Sequence, residues 1–167
     1  MPTEKLKKCL IEGERNGERH QGLRKITPDP ELAHAYVVKA KHNFEAITGF
    51  YHAGYSDWSA SAAFYALYHG LLALLAKKGY ESRNQSCTFA LIEDGIVKGE
   101  IRFLTLSDLK EIFDKEVTRG LEHSDKILDL REMMQYSTKT ALVESDFQVL
   151  RKRTKELFDK IRLEIEI

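Results

Sequence analysis

Between Trp58 and Ala76 the chain reads WSASAAFYALYHGLLALLA, without a single Asp, Glu, Lys or Arg. A run this long and this apolar belongs either in a membrane or in the middle of a helical core. Ser59, Ser61, His69, Gly70 and two tyrosines interrupt it, and the other periodic stretches of the chain are amphipathic in the manner of a soluble bundle. The reading is therefore a core helix, apolar nearly all round because other helices enclose it. Ser56 or Asp57 is its expected N-cap. Gly79 is its expected stop, with Lys77 and Lys78 at the negative end of the helix dipole.

The rest of the chain supplies those other helices. All three prolines, Pro2, Pro28 and Pro30, precede Glu31, so nothing beyond that point breaks a helix by ring geometry. A short N-terminal helix is followed by EGERNGERHQGLRKITPDP, residues 12–30, which has three glycines, four Lys or Arg and a histidine against four acids, and no apolar period, and reads as a loop. Asp29 as N-cap with Pro30 at the first helical position opens a long helix to about Ala53, with Leu32, Tyr36, Ala40, Phe44 and Ile47 on one face. After the central helix come a short helix near Cys87 to Glu93, a turn in DGIVKGE, and a helix from Leu106 to Lys115 opened by a Thr105/Asp108 capping box. A longer helix is expected from about Leu121 to Leu142. A last amphipathic one, capped by Ser145, carries Phe147, Leu150, Leu157 and Ile161 inward. The fold class is all-α: an up-and-down bundle of four to five main helices with a short helical insert. Residues 1–29 form an N-terminal short helix and basic loop, and residues 30–167 the bundle domain.

Composition narrows the function. Lys plus Arg and Asp plus Glu balance at 26 each, so any phosphate binding must come from a local patch rather than a global field. Cys9 and Cys87 fit neither a disulfide framework nor a metal knuckle and read as ordinary thiols of a reducing compartment. No apolar core of signal-peptide length opens the chain, and the cytoplasm is the expected location. Phosphate loops, dinucleotide fingerprints, zinc-protease motifs and nucleophile elbows are absent, so no metal and no cofactor is expected.

Two residues stand out. His69 sits inside the uncharged run, where a lone histidine is more often a hydrogen-bonded core or interface residue than a catalyst. His34, His42 and His52, among charged neighbours, read as surface residues. Arg131 lies between Leu130 and Met133-Met134, beside an apolar face where its charge needs a partner. The plainer reading is an ion pair with Glu93 or Asp94; the functional one is a phosphate clamp or the electrostatic half of a phosphodiester-cleaving site.

The order GYSDWSASAAFYALYHGLLALLAKKGYES, then CTFALIEDGIVKGE, then LREMMQY resembles the HEPN domains (higher eukaryotes and prokaryotes nucleotide-binding), closest to the small stand-alone prokaryotic type. The matching pieces are Lys39-Ala40 with Asn43-Phe44, Phe64-Tyr65-Ala66 with Tyr68-His69, Gly79, and Arg131 with Tyr136, over roughly residues 30 to 163. The resemblance implies a helical bundle that commonly dimerises. It further implies one of three roles: a metal-independent ribonuclease, a partner of a minimal nucleotidyltransferase in a toxin–antitoxin pair, or a non-catalytic RNA-binding or scaffold module. In the nucleases an arginine is followed four to six residues later by histidine. Here Tyr136 holds that place, and a phenol with a reference pKa of about 10 is a poor general base at neutral pH. Related sequences resemble S-K-x-H-x-C-T where this chain has Gln85 within Ser82 to Thr88, which removes a second proton carrier. Arg15 and His20 have the nuclease spacing but fall outside the resembling region and read as chance.

The expectation is a non-catalytic homodimer that binds RNA, a nucleotide or a protein partner through Arg131, Arg83, Gln85 and Tyr136. The alternative is a weak metal-independent ribonuclease using Arg131 with Tyr136 or His69.

Overall fold

The computed structural model describes residues 3–113 and 127–167. Within them lie α1 (Glu4–Gly13), β1 (Leu23–Lys25), α2 (Pro30–His52), α3 (Ser59–Lys78), β2 (Tyr80–Ser82), α4 (Gln85–Val97), α5 (Leu106–Ile112), α6 (Ile127–Tyr136) and α7 (Glu144–Glu166). The class is all-α, with one small two-stranded sheet.

The uncharged run becomes α3, and most of its residues are buried, Phe64, Leu67, Leu71 and Leu74 completely. It is long and apolar enough to cross a membrane, yet 83% of its apolar window is buried within the fold. α2 lies along one side of it, α7 and α6 along others, and the shared core takes Ile47, Ile127, Leu130, Leu150, Leu157 and Ile161. Gly70 lets α7 come close, because a Cβ there would meet Ile161 Cγ2 at 3.2 Å. α5 is tied to α7 by charge: Arg153 donates to Glu111 and Asp108, and Lys160 Nζ reaches Asp108 Oδ2 at 2.7 Å. Burial pushes the Asp108 carboxyl up, but Lys160 and the Thr105 donors outweigh it and hold it below the usual range.

Local chemistry placed several boundaries correctly. The Asp29 side chain accepts from Leu32 N–H, Gly79 ends α3 in the left-handed conformation at φ 88°, and Thr105 and Asp108 cap each other's backbone. Other expectations are corrected. The Ser56 hydroxyl does not cap α3; residues Ser56–Trp58 form a 3-10 turn, and Ser56 Oγ accepts from Leu142 N–H at 2.9 Å instead. α4 extends further than Cys87 to Glu93 because Asn84 caps it and Gly95 stays helical. α6 ends at Tyr136, not Leu142; Leu121, like the expected helix end at Lys115, lies outside the described residues. Ser145 lies inside the first turn of α7, whose N-cap is Val143.

The largest correction concerns the N-terminal segment. Residues 12–30 are not all loop: β1 pairs antiparallel with β2, Arg24 opposite Glu81. Cys9 and Cys87 are joined by a disulfide, with Cα atoms 5.8 Å apart, inside a small apolar cluster with Leu6 and Leu23. The bond overturns the reading of two ordinary thiols, and with it the compositional argument for a reducing compartment. α1 and β1 thereby become a flap fastened to α4 and β2.

Candidate functional site

Residues of α2, α3 and the β2–α4 junction come together around Tyr36 and His69, and α6 packs on α3. Tyr36, Lys39 and Asn43 recur at the i, i+3, i+7 spacing that lines one side of α2. On α3, Tyr65 and His69 stand one turn apart and, with Ser61, interrupt the burial of the helix ahead of Lys77 and Lys78. The Tyr36 and His69 rings stack with centroids 6.1 Å apart, and Asn43 Nδ2 lies 3.0 Å from His69 Nδ1.

His69 Nδ1 is also 2.8 Å from the carbonyl oxygen of Tyr65. A carbonyl only accepts, so this contact assigns the proton to Nδ1, and the Asn43 amide turned to present its oxygen shares it. Nε2 then carries a lone pair with no described side chain against it. Burial lowers the His69 pKa, the Tyr65 carbonyl opposes that shift, and the Lys39 ammonium adds to it; the net is a neutral imidazole at pH 7. The reading of His69 as a hydrogen-bonded interface histidine fits this geometry, with a basic nitrogen left open besides.

Arg131 lies with its guanidinium carbon 3.8 Å from the centroid of the Phe64 ring, a cation–π stack against a fully buried aromatic. The expected ion pair is not formed: Asp94 pairs with Lys98 at 2.6 Å, and among the described residues no carboxylate pairs with Arg131. One face of the guanidinium is thus spent on Phe64, and its edge donors meet no carboxylate among the described residues. From Phe64 the rings continue without a gap: Phe64 stacks on Tyr68 at 5.9 Å, and Tyr68 meets His69 edge-on at 6.0 Å. Arg131 is thus linked to His69 through the buried Phe64 and Tyr68 rings, while Tyr36, Lys39, Tyr65 and His69 form the partly open surface.

The far edge of that surface is ionic. The Tyr36 phenol lies in the field of the Glu81 carboxylate and the Arg83 guanidinium; burial raises its pKa, Glu81 adds to the rise and Arg83 opposes it. Burial likewise raises the Tyr68 pKa, against the hydrogen bond from Thr88, so both phenols are neutral donors at pH 7. Arg83 is exposed, its backbone N–H held by Gly22 O. Gln85 is the first residue of α4, and no side-chain contact among the described residues ties it to the site. Tyr136 is 77% exposed at the end of α6 and makes no described ring contact. It stands five residues from Arg131, where helical geometry points the two side chains apart. Of the two partners expected for Arg131, Tyr136 points away from it along α6, and His69 is linked to it through the Phe64 and Tyr68 rings. Arg15 pairs with Glu12, and His20 is buried against Glu81, so those two form no composite site. His34, His42 and His52 are exposed as expected.

Sequence reasoning used Lys39, Asn43, Phe64 and Tyr65 as motif letters but gave them no role, and it missed Tyr36 and Glu81. The α2 stripe carried a signal, since an aromatic, a cation and an amide at one helical spacing mark an unusual polar face. Glu81 carried none.

Tyr36, Tyr65, His69 and the cations Lys39, Arg83 and Arg131 are thus carried by a helical domain built around α3. The chain belongs to the HEPN domain family, whose profile matches residues 33–164. No curated protein and no solved structure matches it.

Proposed function

We propose that this protein is a non-catalytic HEPN-type module, acting as a homodimer, that binds single-stranded RNA on the face formed by Tyr36, Lys39, Tyr65, His69, Arg83 and Arg131. The observation that carries the reading is Arg131 stacked on Phe64 with no described carboxylate partner, at one end of an unbroken run of rings. An arginine stacked on an aromatic, with no carboxylate partner among the described residues, is suited to a phosphate, and Tyr65, 41% exposed, offers a stacking surface for a base. Dimerisation is supported by exposed aromatics rather than by α3 or Met134, which are buried; Tyr55 and Trp58, at the turn between α2 and α3, are 59% and 57% exposed. A minimal nucleotidyltransferase is the protein partner implied by the family resemblance, and co-purification tests it.

A second reading, weak metal-independent ribonuclease activity, is favoured by one specific feature: the open Nε2 of a neutral His69. In that reading His69 accepts the proton of the attacking 2′-hydroxyl while Arg131 stabilises charge on the phosphate. The two are separated by incubating purified protein with labelled single-stranded RNA under chelation, wild type beside His69→Ala and Arg131→Ala. Intact RNA in every lane, with a shifted complex for the wild type, is the expected result. Cleavage by the wild type that is lost in both variants would replace the first reading with the second.

A further inference from the structure

Glu81 is out of place on a surface built for phosphate. An exposed carboxylate beside Arg83 and the Tyr36 phenol repels a phosphodiester, yet this one is held rather than left to swing away. Its holder is His20, whose side chain is wholly buried and whose Nε2 lies 2.7 Å from Glu81 Oε1. The His20 tautomer is set from behind: Gly22 N–H donates to Nδ1 at 3.3 Å, so Nε2 carries the proton and donates to the carboxylate. The β1–β2 pairing fixes the backbone of Glu81 as well, opposite Arg24. A buried histidine, a backbone donor and a strand register thus aim one carboxylate, which is 32% exposed and whose Oε2 meets no donor among the described residues. A carboxylate only accepts, so what it recognises must be a donor. On an RNA base, two adjacent donors are presented by guanine alone, at N1–H and N2–H₂. Adenine and cytosine each set one amino group beside an acceptor, and uracil offers a single imino N–H between two carbonyls.

We propose that Glu81, positioned by the buried His20, is the specificity-determining residue of this face and selects guanine by accepting from its N1–H and N2–H₂ groups. The inference rests on the RNA-binding reading above. Arg131, Lys39 and Arg83 hold the backbone, Tyr65 or Tyr36 stacks the base, and Glu81 reads its edge.

The test is an equilibrium titration of nine-nucleotide uridine RNAs bearing one central guanine, inosine, adenine or cytosine, against wild type and Glu81→Gln. The wild type is expected to favour guanine about tenfold over adenine and cytosine, and to lose several-fold on inosine, which lacks the N2 amino group. Glu81→Gln is expected to bind all four alike, with guanine affinity falling to the level of adenine and cytosine. Equal binding of guanine and inosine by the wild type, or a guanine preference that survives in Glu81→Gln, overturns the assignment while leaving RNA binding intact. No binding of any oligonucleotide by the wild type overturns both. The guanine–inosine comparison needs no variant and stands even where Glu81→Gln folds poorly.

Discussion

Replacing Cys9 and Cys87 together with serine is expected to lower the unfolding free energy by about 4 kcal/mol, because the bond closes a loop between residues 78 apart. For a chain of this size that corresponds to a fall of about 10 °C in Tm. The loss is local in origin. The disulfide fastens α1 to α4, and with it the β1 strand that aligns Glu81, whereas α2, α3 and α7 share the main core and do not depend on it. Hydrogen exchange in the double variant is accordingly expected to quicken first in residues 4–25. A reductant added to the wild type should reproduce most of the effect. Equal Tm values with and without reductant would show that the flap is held by its apolar contacts alone.

Gly13→Ala is expected to be nearly as damaging, at about 3 kcal/mol, for a different reason. A Cβ at Gly13 would stand 1.7 Å from the carbonyl oxygen of Leu23 and 2.4 Å from its carbon, so β1 must move away from the end of α1. Both atoms are backbone and have no rotamer to change. Gly22 faces the same crowding from the other side, its added Cβ lying 2.3 Å from Cys9 O. Gly49, exposed in α2 with nothing within 4 Å of such a carbon, is the matched control. There Ala should stabilise by about 0.5–1 kcal/mol through helix propensity and a smaller unfolded-state entropy. Chemical denaturation of the two variants side by side measures the contrast; equal effects would mean that β1 is not packed against the end of α1 as described.

These two sites also show where the sequence was legible. Asp29, Gly79 and the Thr105/Asp108 box act on their own neighbours within a few residues, and each was read correctly. The uncharged run was read correctly as well, since burial all round a helix leaves no other composition. What escaped was decided by pairs far apart in the chain. Cys9 and Cys87 carry no spacing signal, and β1 and β2 are three residues each, too short for any alternation to show. His20 and Glu81 are 61 positions apart, and Ser56 caps no helix because Leu142, 86 positions on, claims its hydroxyl. The site divided in the same way. Arg131 and His69 stood out as polar residues in apolar surroundings. Which partner each would take depended on whether α6 laid Arg131 against Phe64 or against α4, and nothing local to Arg131 decides that.

The most direct measurement is an anisotropy titration of a labelled single-stranded RNA at several salt concentrations, with wild type beside Arg131→Ala. With Lys39, Arg83 and Arg131 as phosphate ligands, the wild-type log–log salt slope should be about −2. Arg131→Ala should bind about tenfold more weakly, with a slope shallower by about 0.7. Identical affinity and slope for the two proteins, or no binding by either, would contradict the assignment of Arg131 as the phosphate ligand of an RNA-binding face.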